Sequence, residues 1–330
     1  MDDERRQARH EARRREPARR RRRALAVVSL LLVAGAVAAV VSLRGGGSSA
    51  SSGAGSATKG AGGPRGFTAT AGSATSDAAH GTVTGTATGR PGGERVPILM
   101  YHVINSPPAG APFPGLYVQP SEFAAQMQAL ANAGYRAITQ DQMWAYWKRG
   151  VPLPAGGKPI VVSFDNGYQS QYSNALPVLR RLGWVGDENI QLTGLPPSQG
   201  GLSQAQVKGL VAAGWELDTQ GVSHADLIAL NATQLAEQVA GSRKTIQQRY
   251  GVPVNWFCYP SGHYDATVIA AVKAAGYTGS TTVVPGWAGP ESDPYRLPRL
   301  RVLGGTSPEA LLSELQSIRS DQPPPASYSG

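Results

Sequence analysis

The chain has 330 residues, a net charge of +9 and one cysteine, Cys258, which excludes an intrachain disulfide. Residues 1–23 hold eleven Arg against five acidic residues, whereas Val96–Gly330 holds fifteen basic and fifteen acidic residues. A nucleic-acid-binding domain would carry its basic patch on the folded part, so this distribution argues against a nucleic-acid partner and makes residues 1–23 an Arg-rich cytoplasmic tail.

Residues 24–43, ALAVVSLLLVAGAVAAVVSL, are twenty residues without a charge. At about 1.5 Å per residue they span the roughly 30 Å hydrocarbon core of a bilayer. Arg19–Arg23 precede them directly, and the positive-inside rule then places the N-terminus in the cytoplasm and all that follows outside. The expected location is the cell membrane, with one signal-anchor helix and an extracellular C-terminal domain. A cleaved signal peptide would have a shorter apolar region.

Residues 44–94 are mostly Gly, Ala, Ser and Thr, and AGSAT occurs twice, at Ala54–Thr58 and Ala71–Thr75. Such a segment buries too little apolar surface to offset the entropy of ordering, so it is expected as a disordered linker. Its root-mean-square reach would be about 35–45 Å.

From Arg95 the texture changes. Strand-like runs are expected at Arg95–Ile104, Arg136–Thr139, Pro159–Asp165, Asn189–Thr193, Trp215–Thr219, Trp256–Tyr259 and Tyr277–Val283. Helical spacing is expected at Ser121–Ala133, Gln142–Arg149, Ser173–Leu182, Ser203–Ala213, Thr233–Tyr250, Ala266–Ala275 and Pro308–Arg319. Strand and helix in alternation argue for a parallel sheet. Seven or eight such units suit a distorted (β/α)7-8 barrel over residues 95–318, an open doubly wound sheet being the alternative. The Pro-rich end, 319–330, is expected as a disordered tail.

Functional side chains of a βα barrel sit at the C-terminal ends of its strands. Those positions carry SFDNGY (Ser163–Tyr168), DTQGVSH (Asp218–His224) and FCYPSGHYD (Phe257–Asp265). Carboxylate, amide, imidazole and hydroxyl groups thus converge on one rim, as a sugar-binding or hydrolytic site requires.

At these residues the chain resembles the NodB-homology polysaccharide deacetylases. SFDNGY is similar to their TFDDGY motif, and Gln220–His224 sits where they have a His-x-x-x-His metal pair. FCYPSGHYD resembles FxYPxGxYD, RLPR (Arg296–Arg299) resembles a late RIPR segment, and VPILMYHVI resembles their first strand. The resemblance implies metal-assisted removal of N- or O-acetyl groups from a polysaccharide, with Asp165 as general base. It also implies departures. Asn166 replaces a metal-binding Asp and Gln220 replaces a metal-binding His. Of the three ligand positions His224 alone is kept, so a zinc-type ion is expected to bind weakly or not at all. The family's late general-acid His is missing, since no histidine follows His263, which is the candidate to replace it.

Asn166, Tyr168, Gln220, Tyr259, Pro260 and Arg299 are the expected sugar-contacting residues, and His102 is read as a satisfied core or rim histidine. Three functions stay open. One is a polysaccharide deacetylase with altered metal use, acting on peptidoglycan or another envelope glycan. Another is a catalytically inactive glycan-binding or scaffolding relative. The third is metal-independent glycoside hydrolysis by Asp165 with a second rim carboxylate, Asp218 or Asp265, since such enzymes need two carboxylates about 5–10 Å apart.

Overall fold

Six consecutive buried residues, VPILMY, form β1 (Val96–Tyr101), the pattern of a central strand covered on both faces. A computed structural model of the protein describes residues 83–154, 157–195, 200–318 and 323–330. The Arg-rich tail, the expected membrane segment 24–43 and most of the 44–94 linker lie outside the described residues. Among the described residues no helix is long and apolar enough to cross a membrane.

The other strands are β2 (Tyr135–Ala137), β3 (Lys158–Asn166), β4 (Asp187–Ile190), β5 (Glu216–Thr219), β6 (Trp256–Cys258), β7 (Gly279–Thr281), β8 (Trp287–Ala288) and β9 (Leu300–Arg301). They hydrogen-bond in the order β7-β6-β5-β4-β3-β1-β8, with β2 beside β3 and β9 beside β1. Every pairing is parallel except that of β1 with β8. The gap between β7 and β1 is bridged by residues 297–302. Leu297 N donates to Ser280 O at 3.0 Å and Val302 N to Met100 O at 3.0 Å. The expected parallel α/β architecture of a (β/α)-barrel type is therefore present.

Eight helices are described: α1 (Pro120–Asn132), α2 (Gln140–Arg149), α3 (Leu176–Arg181), α4 (Gln204–Ala212), α5 (Ala232–Ala236), α6 (Ser242–Tyr250), α7 (Ala266–Ala274) and α8 (Pro308–Ser317). Thr139, Ser203 and Asn231 open α2, α4 and α5 with reciprocal capping boxes, each satisfying two backbone donors that a helix start would otherwise leave bare. The helix expected over Thr233–Tyr250 is interrupted by a π-turn at Glu237–Gly241.

Partners in register on parallel neighbours point to the same side of a sheet. Tyr101 and Phe164 therefore share a side, and Phe123 of α1 packs on both rings. That is the helix-facing side. Met100, Ser163, Asp165, Asp187, Asn189, Glu216 and Asp218 fall on the other side, inside the barrel. The fourth strand was expected at Asn189–Thr193 and lies at Asp187–Ile190 instead. Its first three residues are polar yet fully buried, so a hydrophobicity reading misplaces it.

The sequence reading made 319–330 a disordered tail. Residues 323–330 instead lie along the barrel: Tyr328 pairs antiparallel with Tyr264, the Tyr264 hydroxyl donates to Pro325 O at 2.7 Å, and Arg296 Nη1 donates to Pro324 O at 3.1 Å. These contacts order a segment whose composition alone predicts none.

Candidate functional site

A cavity of about 690 Å³ opens at the C-terminal ends of the strands, lined among others by His102, Tyr117, Asp165, Asn166, Tyr168, Gln191, Gln220, His224 and Arg301. This volume falls in the range of small-molecule sites. Three non-glycine residues among those described have positive φ: Asn166 (80°), His224 (55°) and Ser261 (55°). All three line this cavity. Such conformations cost of order 1–3 kcal/mol each and concentrate at functional sites.

Neighbouring strands fix each group in turn. Asp165 is the next-to-last residue of β3, whose buried run ends at Asn166, and the side chain of Gln171 ties that strand end to the segment after β1 by donating to Asp165 O at 2.8 Å and to His102 O at 2.9 Å. The bend that follows needs Gly167 (φ 87°); a Cβ there would lie 2.8 Å from Ile190 Cγ1. Past β5, Gln238 Oε1 accepts from Val222 N and Ser223 N. Gln220 N donates to Ile190 O at 2.9 Å. These bonds hold Gln220 and His224 against the cavity.

Asp165 is 1% exposed and both carboxylate oxygens are occupied. Arg299 Nη1 and Nη2 donate to Oδ1 and Oδ2 at 2.8 and 2.9 Å, and Asn189 Nδ2 donates to Oδ1 at 3.0 Å. Burial alone would raise its pKa; the Arg299 guanidinium outweighs burial and holds the carboxyl down at about 2. Arg299 also packs beside Cys258, whose thiol burial pushes up to about 12. Burial lowers His102 to about 4 and lowers His224 too, so both imidazoles are neutral at neutral pH.

The two carboxamides at the replaced metal positions are in the cavity. Asn166 Nδ2 donates to Gln191 Oε1 at 2.7 Å, and Gln191 Nε2 passes the chain on to Thr193 O at 2.6 Å. This relay leaves the Asn166 oxygen as the group facing outward. Gln220 Oε1 and His102 Nδ1 are buried without a partner among the described residues. Apart from Asp165 and Arg301, the polar side chains that line the cavity are uncharged, amides and imidazoles among them, and such groups can exchange hydrogen bonds with hydroxyl and amide partners.

Several comparisons place this geometry. A profile of the family "Polysaccharide deacetylase" matches residues 153–280. The Bacillus subtilis protein YxkH, named for the same family, is 28% identical over 230 residues, covering 68% of this chain and 77% of its own. The solved structure of the Streptococcus pyogenes deacetylase PplD, in complex with acetate, is 26% identical. It superposes with a TM-score of 0.62 over 68% of this chain and 99% of its own. A polysaccharide deacetylase from Bacillus cereus is 28% identical, with a TM-score of 0.59 over 68% of this chain and 69% of its own. The chain carries a polysaccharide deacetylase domain.

The deacetylase domain fits a zinc-type ion poorly. Of the three expected ligand positions, Asn166 and Gln220 are uncharged carboxamides, the Gln220 oxygen being buried, and His224 is an imidazole. The nearest carboxylate, Asp165, is fully engaged by Arg299. Zinc takes imidazole, thiolate and anionic carboxylate far more readily than amide oxygen. Among the described residues, one group of three acidic, His or Cys side chains is close enough to share an ion: Asp187, Glu216 and Asp218, whose ligand atoms lie within 4.8 Å of one another. They belong to the beginnings of β4 and β5, away from the cavity, where Gln140 N and Asp141 N at the start of α2 donate to Asp187 and Glu216 at 2.9 Å.

The expected site divides accordingly. Asp165, Asn166, Tyr168, Gln220, Tyr259 and His224 line the cavity of the deacetylase domain, and His263, Pro260 and Arg299 do not. His263 Nδ1 is bound to Asp226 Oδ1 at 3.0 Å, so the replacement of the missing acid by His263 is not supported by its position. The Tyr259 hydroxyl donates to Tyr295 O at 2.9 Å, and its ring stacks on Tyr264 at 4.9 Å; it forms wall rather than reaching into the space. Pro260 is buried in a 3-10 turn, and Arg299 is fully buried against Asp165. The glycosidase reading loses its second carboxylate. Asp218 is fully buried and accepts from Trp256 N, and Asp265 caps α7 by accepting from Val268 N at 2.9 Å.

Gln191, Tyr117 and Arg301 also line the cavity without any motif to mark them, and His102, expected as a core or rim histidine, lies at the rim. Gln191 follows the end of β4 as Gln220 follows β5, so strand-end position would have found it had β4 been placed correctly.

Proposed function

We propose that the domain binds an acetylated polysaccharide of the cell envelope in this cavity and acts chiefly as a glycan-holding module, with little or no metal-dependent deacetylation. The observation that carries this reading is the pair Asn166 and Gln220. They put neutral carboxamides where the resemblance implies a carboxylate and an imidazole, Asn166 being oriented through Gln191. Carboxamides lining the cavity can hydrogen-bond sugar hydroxyl or acetamido groups, at no cost from burying an unpaired anion. Asp165 at a pKa of about 2 is a weak proton acceptor at neutral pH. Its firm hold on Arg299 makes it a part of the cavity floor. Tyr168 and Tyr117 add apolar faces on which a sugar ring can rest.

The same proposal places the domain outside the cell on a tether from one membrane helix. The Arg run before Ala24–Leu43 and the Gly/Ser-rich stretch after it support this. A second reading, slow deacetylation with an ion recruited by His224, is favoured by one observation: His102 and His224 both line the cavity with Asp165.

The test is calorimetric titration of the full chain with an N-acetylglucosamine tetramer in the presence of EDTA. Binding should persist in EDTA, and Gln220→Leu and Tyr168→Ala should each weaken it at least about five-fold, one buried hydrogen bond or one stacked ring being worth about 1 kcal/mol. Loss of all binding on chelation would reject the proposal in favour of the second reading.

A further inference from the structure

The cavity carries one charge that nothing in it balances. Asp165 is neutralised by Arg299. Arg301 on β9 also lines the cavity and is exposed to solvent. It sits close enough to His102 for its charge to act on that imidazole. Among the described residues no acidic side chain pairs with it. Asp165 is the single acidic residue in the lining. Apolar side chains share the lining with it: Leu116, Phe113 (68% exposed) and Leu303 (43% exposed). A lone cation among low-dielectric walls focuses positive potential into the cleft. Its planar fork of N–H donors matches a carboxylate or a phosphate better than it matches any neutral sugar group.

We propose that Arg301 reads an anionic substituent on the bound polysaccharide, so that the glycan class is an acetylated polymer carrying carboxylate or phosphate groups. This rests on the glycan-binding reading of the same cavity. Through the pairing of Met100 with Arg301, the guanidinium emerges beside the strand that leads to His102. The anion would therefore sit on or next to the sugar lying over Gln220 and Asp165.

Three probes separate the outcomes, each titrated into the full chain at low and at physiological salt. One is a neutral N-acetylglucosamine tetramer. One is an oligosaccharide of the same length alternating with N-acetylmuramic acid, which supplies carboxylates. One is an N-acetylglucosamine oligomer bearing glycerol phosphate. At low salt, one anionic probe should bind about five-fold or more tightly than the neutral one, the scale of an exposed ion pair, and the preference should shrink with added salt. The stronger anionic probe identifies the source of the charge. Arg301→Ala should abolish the preference by lowering affinity for the anionic probe more than for the neutral one, Arg301→Lys should keep part of it, and Arg301→Glu should reverse it. Because Arg301 is exposed, thermal melts should be unchanged, and they exclude misfolding.

Equal affinity for all three probes would overturn the proposal and leave glycan binding intact, as would an equal loss for all three in Arg301→Ala. Failure of every probe to bind would remove the glycan-binding reading and this inference with it.

Discussion

Arg299 and Asp165 form a two-pronged ion pair in which neither side chain reaches solvent, with N–O distances of 2.8 and 2.9 Å. The pair links β3 to the segment that closes the sheet between β7 and β1. It therefore fastens the floor of the cavity as well as neutralising it.

Removing one partner of a buried pair leaves the other charge uncompensated, which costs about 3–5 kcal/mol. Arg299→Met should lower the unfolding free energy by that amount in urea titrations. The double variant Asp165→Asn with Arg299→Met should recover more than half of the loss. Equal losses in single and double variants would show that packing, not charge, dominates at this position.

At the other end of the strands, burial and mutual repulsion raise the pKa values of Asp187 and Glu216, and burial raises Asp218 to about 7. Each binds a proton more tightly folded than unfolded, where carboxyls titrate near 4. Their contribution is complete below about pH 4 and is lost as pH rises toward 7. His102, lowered to about 4, and His224, also lowered, act oppositely as pH falls below 6.5, but they are two groups against four, since burial raises Glu188 as well. Asp165, held at about 2, contributes fully above pH 4. Unfolding free energy should thus fall by on the order of 2 kcal/mol between pH 5 and 7.5. Asp218→Asn should flatten that slope, since Gln140 Oε1, without a partner among the described residues, can accept from the new amide. Stability that rises over this interval would contradict the assignment.

Gly167 and Gly134 separate backbone strain from crowding. Both have positive φ, 87° and 83°, but a Cβ at Gly167 would meet Ile190 Cγ1 at 2.8 Å whereas nothing lies within 4 Å of one at Gly134. Gly134→Ala should cost about 1 kcal/mol and Gly167→Ala clearly more. Only the latter should also weaken glycan binding, because Asn166 precedes it.

Restoring Asn166→Asp and Gln220→His together should create zinc affinity where the wild type has little. A tightening of at least about ten-fold, or 1.4 kcal/mol, is expected by calorimetry. The gain should be larger when Gln191→Ala is added. The amide oxygen of Gln191 now accepts from Asn166 Nδ2 and would repel a carboxylate in its place. No gain in the double or triple variant would mean that these positions do not converge.

Much of the architecture is legible because β1 and β3 contain apolar runs, Ile98–Tyr101 and Ile160–Val162, and Asp165, Asn166, Gln220 and His224 can be placed at one rim from strand order alone. β4 was not legible. Asp187, Glu188 and Asn189 look like a loop, and they are buried because the barrel interior supplies helix-start donors to the first of them. The roles of Arg299 and His263 depend on what lies across the fold. A distant Asp165 draws one inward, and a neighbouring Asp226 holds the other aside. The folding-back of residues 323–330 is likewise decided by tertiary partners, Tyr264 and Arg296.

Two amide side chains stand where an ion would be gripped. Their consequence is read in acetate release from an acetylated oligosaccharide, measured on the full chain in EDTA and again with one equivalent of zinc. Release should stay at background in both conditions while the oligosaccharide still binds. Release that rises in proportion to added zinc would show that these amides do not prevent metal-dependent deacetylation.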